Sequence, residues 1–332
     1  MSLRSFGSII GAAVALTAGI FTAASAQTPD KVNMMISWRP QADYGGYYQA
    51  AATGIYKKYN LDVDIRSGGP QIDGAQLLLA GRIDFLNASS FAGLHYSKEK
   101  LPFLVVAAIF QKDPQILMVH PDSGYNGLED LKGKPIIIGA SSRTSFWPFL
   151  RAKFGYADEQ IRPFTFNYAP FIADKRAAQQ GYINADLLSI KKSGLDPKAF
   201  LLADVGFENY TNTLNTSQKL VDTNPDLVQR FVSASIEGWY SYLNGDPKPA
   251  FAMIKAANPD MTDEEINYNY STIKERGLAD SGDAKTLGIG AMTDERWARF
   301  VKSNIDTGNY PADGNWKAAY TTKFVNQKVG MK

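Results

Sequence analysis

The chain has 332 residues, 45% hydrophobic and 12% aromatic, which is enough for one large or two medium cores and too apolar for a disordered protein. The 35 Lys and Arg against 33 Asp and Glu leave a net charge of +2 with no dense basic run, which argues against a nucleic-acid partner. With no Cys, disulfides, thiolate metal ligands, Cys nucleophiles and a lipid-bearing cysteine are all excluded.

The N-terminus reads as an export signal over residues 1–26. Arg4 supplies the positive start, Ile9 to Phe21 is apolar and small, and Ala24-Ser25-Ala26 fits the small-x-small rule for cleavage before Gln27. The apolar run is shorter than the roughly 20 residues a spanning helix needs. The mature chain is therefore expected to be soluble and to diffuse in the periplasm.

From there short apolar runs alternate with longer amphipathic ones. The pattern predicts a strand over 32–37, a helix over 44–52, a strand over 61–66, a helix over 72–80 closed by Gly81, and a strand over 83–86. A second set follows: a strand over 116–119, a helical turn in GLEDLKGK, a strand over 135–139, a helix over 145–154 stopped by Gly155, a helix over 173–180 and a short segment over 182–188. Such alternation predicts parallel βα units in two lobes. The last third turns helical. Asn224-Pro225 opens a helix with Leu227, Phe231, Ile236, Trp239 and Tyr240 on one face, and Thr262 with Glu265 three residues on forms a capping box. The expected fold class is α/β, with lobe one discontinuous (27–111 and 212–332), lobe two spanning 112–211, and hinges at Gln111 and around Tyr210 to Asn212.

In parallel βα sheets ligands gather beyond the C-terminal strand ends. Trp38 stands just past the first strand beside Arg39 and Pro40, where an indole face suits a ligand ring as well as it suits simple packing. Tyr44 follows in the first turn of the helix. Gly45 and Gly46 each cost about 1 kcal/mol of helix propensity relative to Ala, so either another group comes close or the stretch is loop. In GASSRTSFWPFL, residues 139–150, Ser142, Arg143, Thr144 and Ser145 lie between strand and helix, a nest for an anionic or carbonyl group, with one hydroxyl expected to cap the helix. Ser89 and Ser90 end the third strand in the same way. His95 and His120 have no carboxylate at ligand spacing, so no metal is expected. No nucleophile elbow, phosphate loop or Ser-His-Asp set can be assembled. The residues offer a pocket without a catalytic kit, and no cofactor is expected.

The runs WRPQADYGGYYQAAATGIYKKYNLDVDI, GGPQIDGAQLLLAGRIDF, LEDLKGKPIIIG and NPDLVQRFVSASIEGWYSYL resemble, in order, the substrate-binding proteins of bacterial ABC importers, in the branch of sulfonate, nitrate, taurine and thiamine-precursor pyrimidine binders. The resemblance covers nearly all of the mature chain. It implies a type II periplasmic binding fold whose lobes close over one small molecule, and a monomer that serves a membrane permease and its ATPase subunit. It puts Trp38 on the aromatic position of the pyrimidine binders, Tyr44 after it, and the charged-group turn of anion-binding relatives on Ser142 to Ser145. A carboxylate contact would fall on Asp186, where Asp186-Leu187 departs from the Glu-Pro of the relatives. Eukaryotic pyrimidine synthases of the same superfamily use a His and a Cys-rich segment; the matching positions here are Ala88 and Ala92, which argues for a binder over an enzyme.

Overall fold

The computed structural model describes residue 1 and residues 28–69, 72–165 and 167–331. The export signal expected over 1–26 lies outside these residues apart from Met1. Strands β1 (Asp30–Met35), β2 (Leu61–Arg66), β3 (Phe85–Ser89) and β4 (Phe103–Phe110) are joined late in the chain by β10 (Thr211–Ser217) in a sheet ordered β2-β1-β3-β10-β4. Strands β5 (Gln115–Val119), β6 (Ile136–Ile138), β7 (Ile161–Pro163), β8 (Ala178–Tyr182) and β9 (Lys198–Leu201) form the second, ordered β7-β6-β8-β5-β9. With helices packed on them, these sheets make an α/β protein of two lobes.

The expected parallel βα units are present, and antiparallel strands that the sequence pattern does not announce make both sheets mixed, a first correction to the reading of the strands. β1 pairs in parallel with β2 and β3, and β6 with β7 and β8, but β10 is antiparallel to β3 and β4, and β5 is antiparallel to β8 and β9. The cause is the connection. β4 runs toward the other lobe and its successor β5 enters from that side, so β5 must run opposite to its new neighbours. β10 enters the first sheet after β9 in the same way. The run FLVVAAIF of β4 is buried at all eight positions, because the C-terminal segment covers its outer edge through bridges to Gly290 and Tyr320.

A second correction concerns residues 173–180. A helix occupies Ala169–Ala173 instead, and 178–182 form β8, paired on both sides by β5 and β6. Ladder bonds from both neighbours outweigh the modest helix propensity of Ala and Gln, and Asp174 turns the chain by accepting from the Arg176 backbone N–H at 3.0 Å. Elsewhere local signals held. Gly81 and Gly155 stop their helices with φ of 63° and 66°. Asn224 caps Pro225–Asn244 through the Leu227 N–H, and Thr262 and Glu265 bond reciprocally at 3.2 and 3.0 Å.

The two glycines after Tyr44 are explained by packing. The helix Gly45–Ala52 lies against Pro225–Asn244, and a Cβ on Gly46 would fall 2.2 Å from Cγ of Trp239, one on Gly45 2.0 Å from Cζ of Tyr242, and one on Gly238 2.4 Å from the Gly46 carbonyl oxygen. The group that comes close is a helix. Gly46→Val forces these helices apart; it is expected to cost about 3 kcal/mol and lower the melting temperature by on the order of 10 °C, read by circular dichroism.

Candidate functional site

The C-terminal ends of β1, β3, β4 and β8 and the starts of β5 and β10 face one another between the lobes, and a cleft of two connected chambers opens there. An inner chamber of about 230 Å3 is walled by Ser37, Asp43, Tyr44, Asn87, Tyr182 and Asn212, among others. An outer one of about 680 Å3 is walled by Phe91, His95, Asp113, Phe146, Phe207 and Tyr310, with Ser141, Thr144 and Ser145 from lobe two. Ser89, Tyr182 and Thr211 line both.

A polar network fixes the inner walls. Ser37 Oγ shares a 3.0 Å hydrogen bond with the Tyr44 hydroxyl and donates at 3.1 Å to Asn87 Oδ1. Asn87 Nδ2 donates to Asn212 Oδ1, which also accepts from the Tyr47 hydroxyl at 2.8 Å. Asn212 returns a bond of 2.5 Å to the Asp43 carbonyl. Its φ of 51° is left-handed, and it sits where the β10 ladder slips register between Thr211 and Thr213. Asn tolerates that backbone conformation far better than the β-branched residues common in strands.

The lobes touch on both sides of the cleft. On one side Asn184 of lobe two, fully buried, donates from Nδ2 to the Asp43 carboxylate and at 2.9 Å to Asn269 Oδ1, both in lobe one. Tyr268 donates at 3.1 Å to the Ile183 carbonyl, and Lys192 reaches Glu264 and Glu265 at 3.1 Å. On the other side Phe91 stacks on Phe207 with centroids 6.0 Å apart, and Asn309 donates at 3.3 Å to the Thr144 carbonyl.

The connecting segments are pinned by Arg296. One Nη donates at 2.5 Å to the Gln111 carbonyl and lies 3.5 Å from that of Asn209, while the guanidinium rests 4.0 Å from the Tyr210 ring centroid. Asp113, buried between these segments, accepts at 2.7 Å from the Gln115 N–H, from Asn209 Nδ2 and at 3.4 Å from the Thr211 hydroxyl.

Burial pushes the carboxyls of Asp43 and Asp113 up to about 6, against amide hydrogen bonds that pull both down. Burial likewise raises the Tyr182 hydroxyl well above its ordinary range, with Asp113 adding to it. Unfolded, each Asp titrates near 3.8, so between that value and about 6 the native state binds more protons than the unfolded chain, and stability falls as pH rises. Carboxyls lowered by cationic or hydrogen-bonded neighbours, such as Glu265, act oppositely, but only below about 4.5. The melting temperature is therefore expected to fall from pH 4.5 to pH 6.5, and Asp113→Asn to flatten part of that slope in a calorimetric pH series.

Of the residues singled out in the sequence, Tyr44, Ser89, Thr144 and Ser145 line the cleft. Trp38 is half-buried against the lobe-one core, next in the chain to Ser37 but not itself a wall of either chamber. Ser90 is turned away, donating at 2.5 Å to Asn209 Oδ1 and accepting from the Tyr210 N–H. Ser142 donates at 2.6 Å to Gln180 Oε1 inside lobe two, and Arg143 is exposed outside the cleft. No hydroxyl of this turn caps the helix, contrary to expectation: Thr144 and Ser145 both donate at 3.2 Å to the Ser141 carbonyl, and the helix Trp147–Phe154 begins with Pro148 in its first turn, which has no N–H to satisfy. Asp186 is turned into lobe two, accepting from the Tyr168 hydroxyl at 2.5 Å and the Tyr182 N–H at 2.6 Å. Gln111 and Asn212 lie at the two crossings between sheets.

Asp43, Asn87, Asp113, Tyr182 and Phe207 were not singled out in the sequence. The rule that ligands gather at strand ends points to Asn87, one residue before Ala88, and Asp113-Pro114 marks the crossing. Asp43 and Phe207 carry no local signal, because only tertiary packing brings them to the cleft. Among the described residues no cluster of three His, Asp or Glu is placed to hold a metal, and no helix is long and apolar enough to cross a membrane.

Comparisons with known proteins agree with this architecture. The chain is similar to the riboflavin-binding protein RibY of Chloroflexus aurantiacus, 24% identical over 306 residues that cover 90% of this chain and 87% of that protein. It is similar to a formylaminopyrimidine-binding protein of Halalkalibacterium halodurans, 24% identical and covering 70% and 72% of the two chains. In structure it resembles the periplasmic aliphatic sulphonate binding protein SsuA of Escherichia coli, with a TM-score of 0.68 at 12% identity over 88% of this chain and 92% of that one. The desulfurization enzyme DSZB shares the fold as well, at a TM-score of 0.58 and 13% identity over 89% and 97% of the chains, so the architecture also carries catalysis. The periplasmic binding protein fold, with its two lobes and intervening cleft, is thus the fold of this chain, and the match of the NMT1/THI5 like family model to residues 41–250 makes the chain a member of that family.

Proposed function

We propose that the chain is the solute-binding receptor of an ABC importer, exported to the periplasm, acting as a monomer and handing a small planar, pyrimidine-like molecule to its permease and ATPase. The observation that carries this reading is the chemistry of the inner chamber. Its walls offer Asp43, Tyr44, Asn87 and Tyr182, with Asp113 close by, and among the described residues lining it there is no Lys, Arg or His. Such a wall suits a flat ring bearing N–H donors. In the inner chamber a sulfonate or nitrate would be desolvated beside the buried Asp43 carboxylate with no cation in the wall to meet it; His95 and Lys98 stand in the outer chamber, where Thr144 and Ser145 already donate their hydroxyl protons to the Ser141 carbonyl. The names of the two sequence relatives, binders of riboflavin and of a formylaminopyrimidine, support the same class.

Binding without turnover is the role we assign. The chain has no Cys, and the cleft holds no paired nucleophile and base among the described residues. A ligand held by both lobes shifts the open and closed populations by its preference for the closed state. Titration calorimetry of residues 27–332 is expected to register binding of 4-amino-5-hydroxymethyl-2-methylpyrimidine and none of taurine or nitrate. Binding of the anions with no response to the aminopyrimidine would overturn the reading.

A further inference from the structure

The hydrogen bonds in the wall of the inner chamber have a direction, and a backbone carbonyl sets it. The Asp43 carbonyl can only accept, so the end of the Asn212 amide that reaches it at 2.5 Å is Nδ2, and the other end is Oδ1. Asn87, buried like Asn212, must then turn its own Nδ2 to that oxygen, which leaves Asn87 Oδ1 facing Ser37. An amide oxygen has no proton to give, so the Ser37 hydroxyl donates its own there, at 3.1 Å. The 3.0 Å contact between Ser37 and Tyr44 is thereby resolved: Tyr44 donates and Ser37 accepts. Turning either amide round would set a buried acceptor against an acceptor, which costs more than the bond it replaces.

The consequence falls on the ligand. Ser37, Tyr44 and Asn87 all wall the chamber, and Ser37 is the exposed member of the three. The Tyr44 hydroxyl has its proton turned to Ser37, and a backbone hydrogen bond from Trp38 meets its oxygen as well. Toward the chamber it can therefore accept a hydrogen bond but not donate one, as is true of the Asp43 carboxylate beside it. Ser89 and Tyr182, whose hydroxyls have no hydrogen-bond partner among the described residues, turn to suit either kind of group and do not discriminate. Resting on the ring-binding reading above, we propose that Ser37 is a specificity-determining residue of this chamber. By holding the Tyr44 proton away from the ligand it makes that hydroxyl an obligate acceptor, so the site takes an exocyclic amino group on the ring and rejects a carbonyl in its place.

The test is titration calorimetry with 4-amino-5-hydroxymethyl-2-methylpyrimidine and its 4-oxo counterpart at about pH 8, where the Asp43 carboxyl is ionised. It compares the wild type with Ser37→Ala, Ser37→Thr and Tyr44→Phe, melting curves verifying that each is folded. The wild type is expected to prefer the amino compound by on the order of 100-fold. Ser37→Ala frees the Tyr44 proton to turn into the chamber and is expected to cut that preference to about tenfold or less, chiefly by tighter binding of the oxo compound, a gain that a merely structural defect does not produce. Ser37→Thr keeps the hydroxyl and is expected to keep the preference. Should Ser37→Ala fail to fold, Tyr44→Phe tests the same point: it removes the acceptor and is expected to weaken the amino compound about tenfold while leaving the oxo compound little changed. If the wild type binds the oxo compound as tightly as the amino one, or if folded Ser37→Ala or Tyr44→Phe changes both equally, the role of Ser37 is refuted while the ring-binding function stands. If neither compound binds, the function itself falls and that role with it.

Discussion

Arg296→Met is expected to destabilise the protein by about 3–5 kcal/mol, the range measured when one partner of a buried charged cluster is removed. The side chain is buried on the helix Asp294–Asp306 and spans both crossings between the sheets, meeting the Gln111 carbonyl, the Asn209 carbonyl and the face of Tyr210. Its charge also lowers the carboxyl of the neighbouring Asp113, so its loss leaves that buried carboxylate without a cation. Lys is not expected to rescue the variant, because one ammonium reproduces neither the forked donors nor the flat stacking surface. Urea unfolding with a loss under about 1 kcal/mol, the ordinary size for a point substitution, would show that the crossings are held by something else.

Asn184→Ala is expected to weaken ligand binding by about 10- to 100-fold, the equivalent of one or two hydrogen bonds to a charged group. Asn184 carries a lobe-two amide into lobe one, where it meets the Asp43 carboxylate and Asn269. Without it the lobes lose this buried link on that side of the cleft, while the exposed Lys192 pairs with Glu264 and Glu265 add little. Small-angle scattering should show the unliganded variant more expanded than the wild type. An unchanged radius of gyration together with unchanged affinity would mean that closure does not depend on this contact.

Elements whose signal is local were legible in the sequence. Strand β2 falls on the expected residues, 61–66, and the glycine stops and the Thr262 capping box are formed as read, because each depends on neighbours a few positions away. The segment 173–180 was misread because its strand character comes from β5 and β6, which lie far off in the chain. The cleft divides in the same way. Tyr44 and Ser89 follow strand ends and were within reach of a positional rule. Ser142 and Asp186 had the right residue types in the right neighbourhood, but Gln180 and Tyr168 capture their side chains within lobe two. Phe207 reaches the cleft through tertiary packing, on Phe149 of its own lobe and Phe91 of the other, contacts that no pattern of spacing encodes.

The exchange of β5 and β10 between lobes has a consequence for how the protein is made. Strands β3 and β4 have β10 between them, and β10 is synthesised about a hundred residues after β4. A nascent chain that has emerged only as far as residue 110 holds four of that sheet's five strands but leaves a gap between β3 and β4. The first sheet is therefore completed only once residues 211–217 have followed the whole of the second, and its β3-β10 and β10-β4 ladders join segments about a hundred or more residues apart, the kind of pairing that forms slowly.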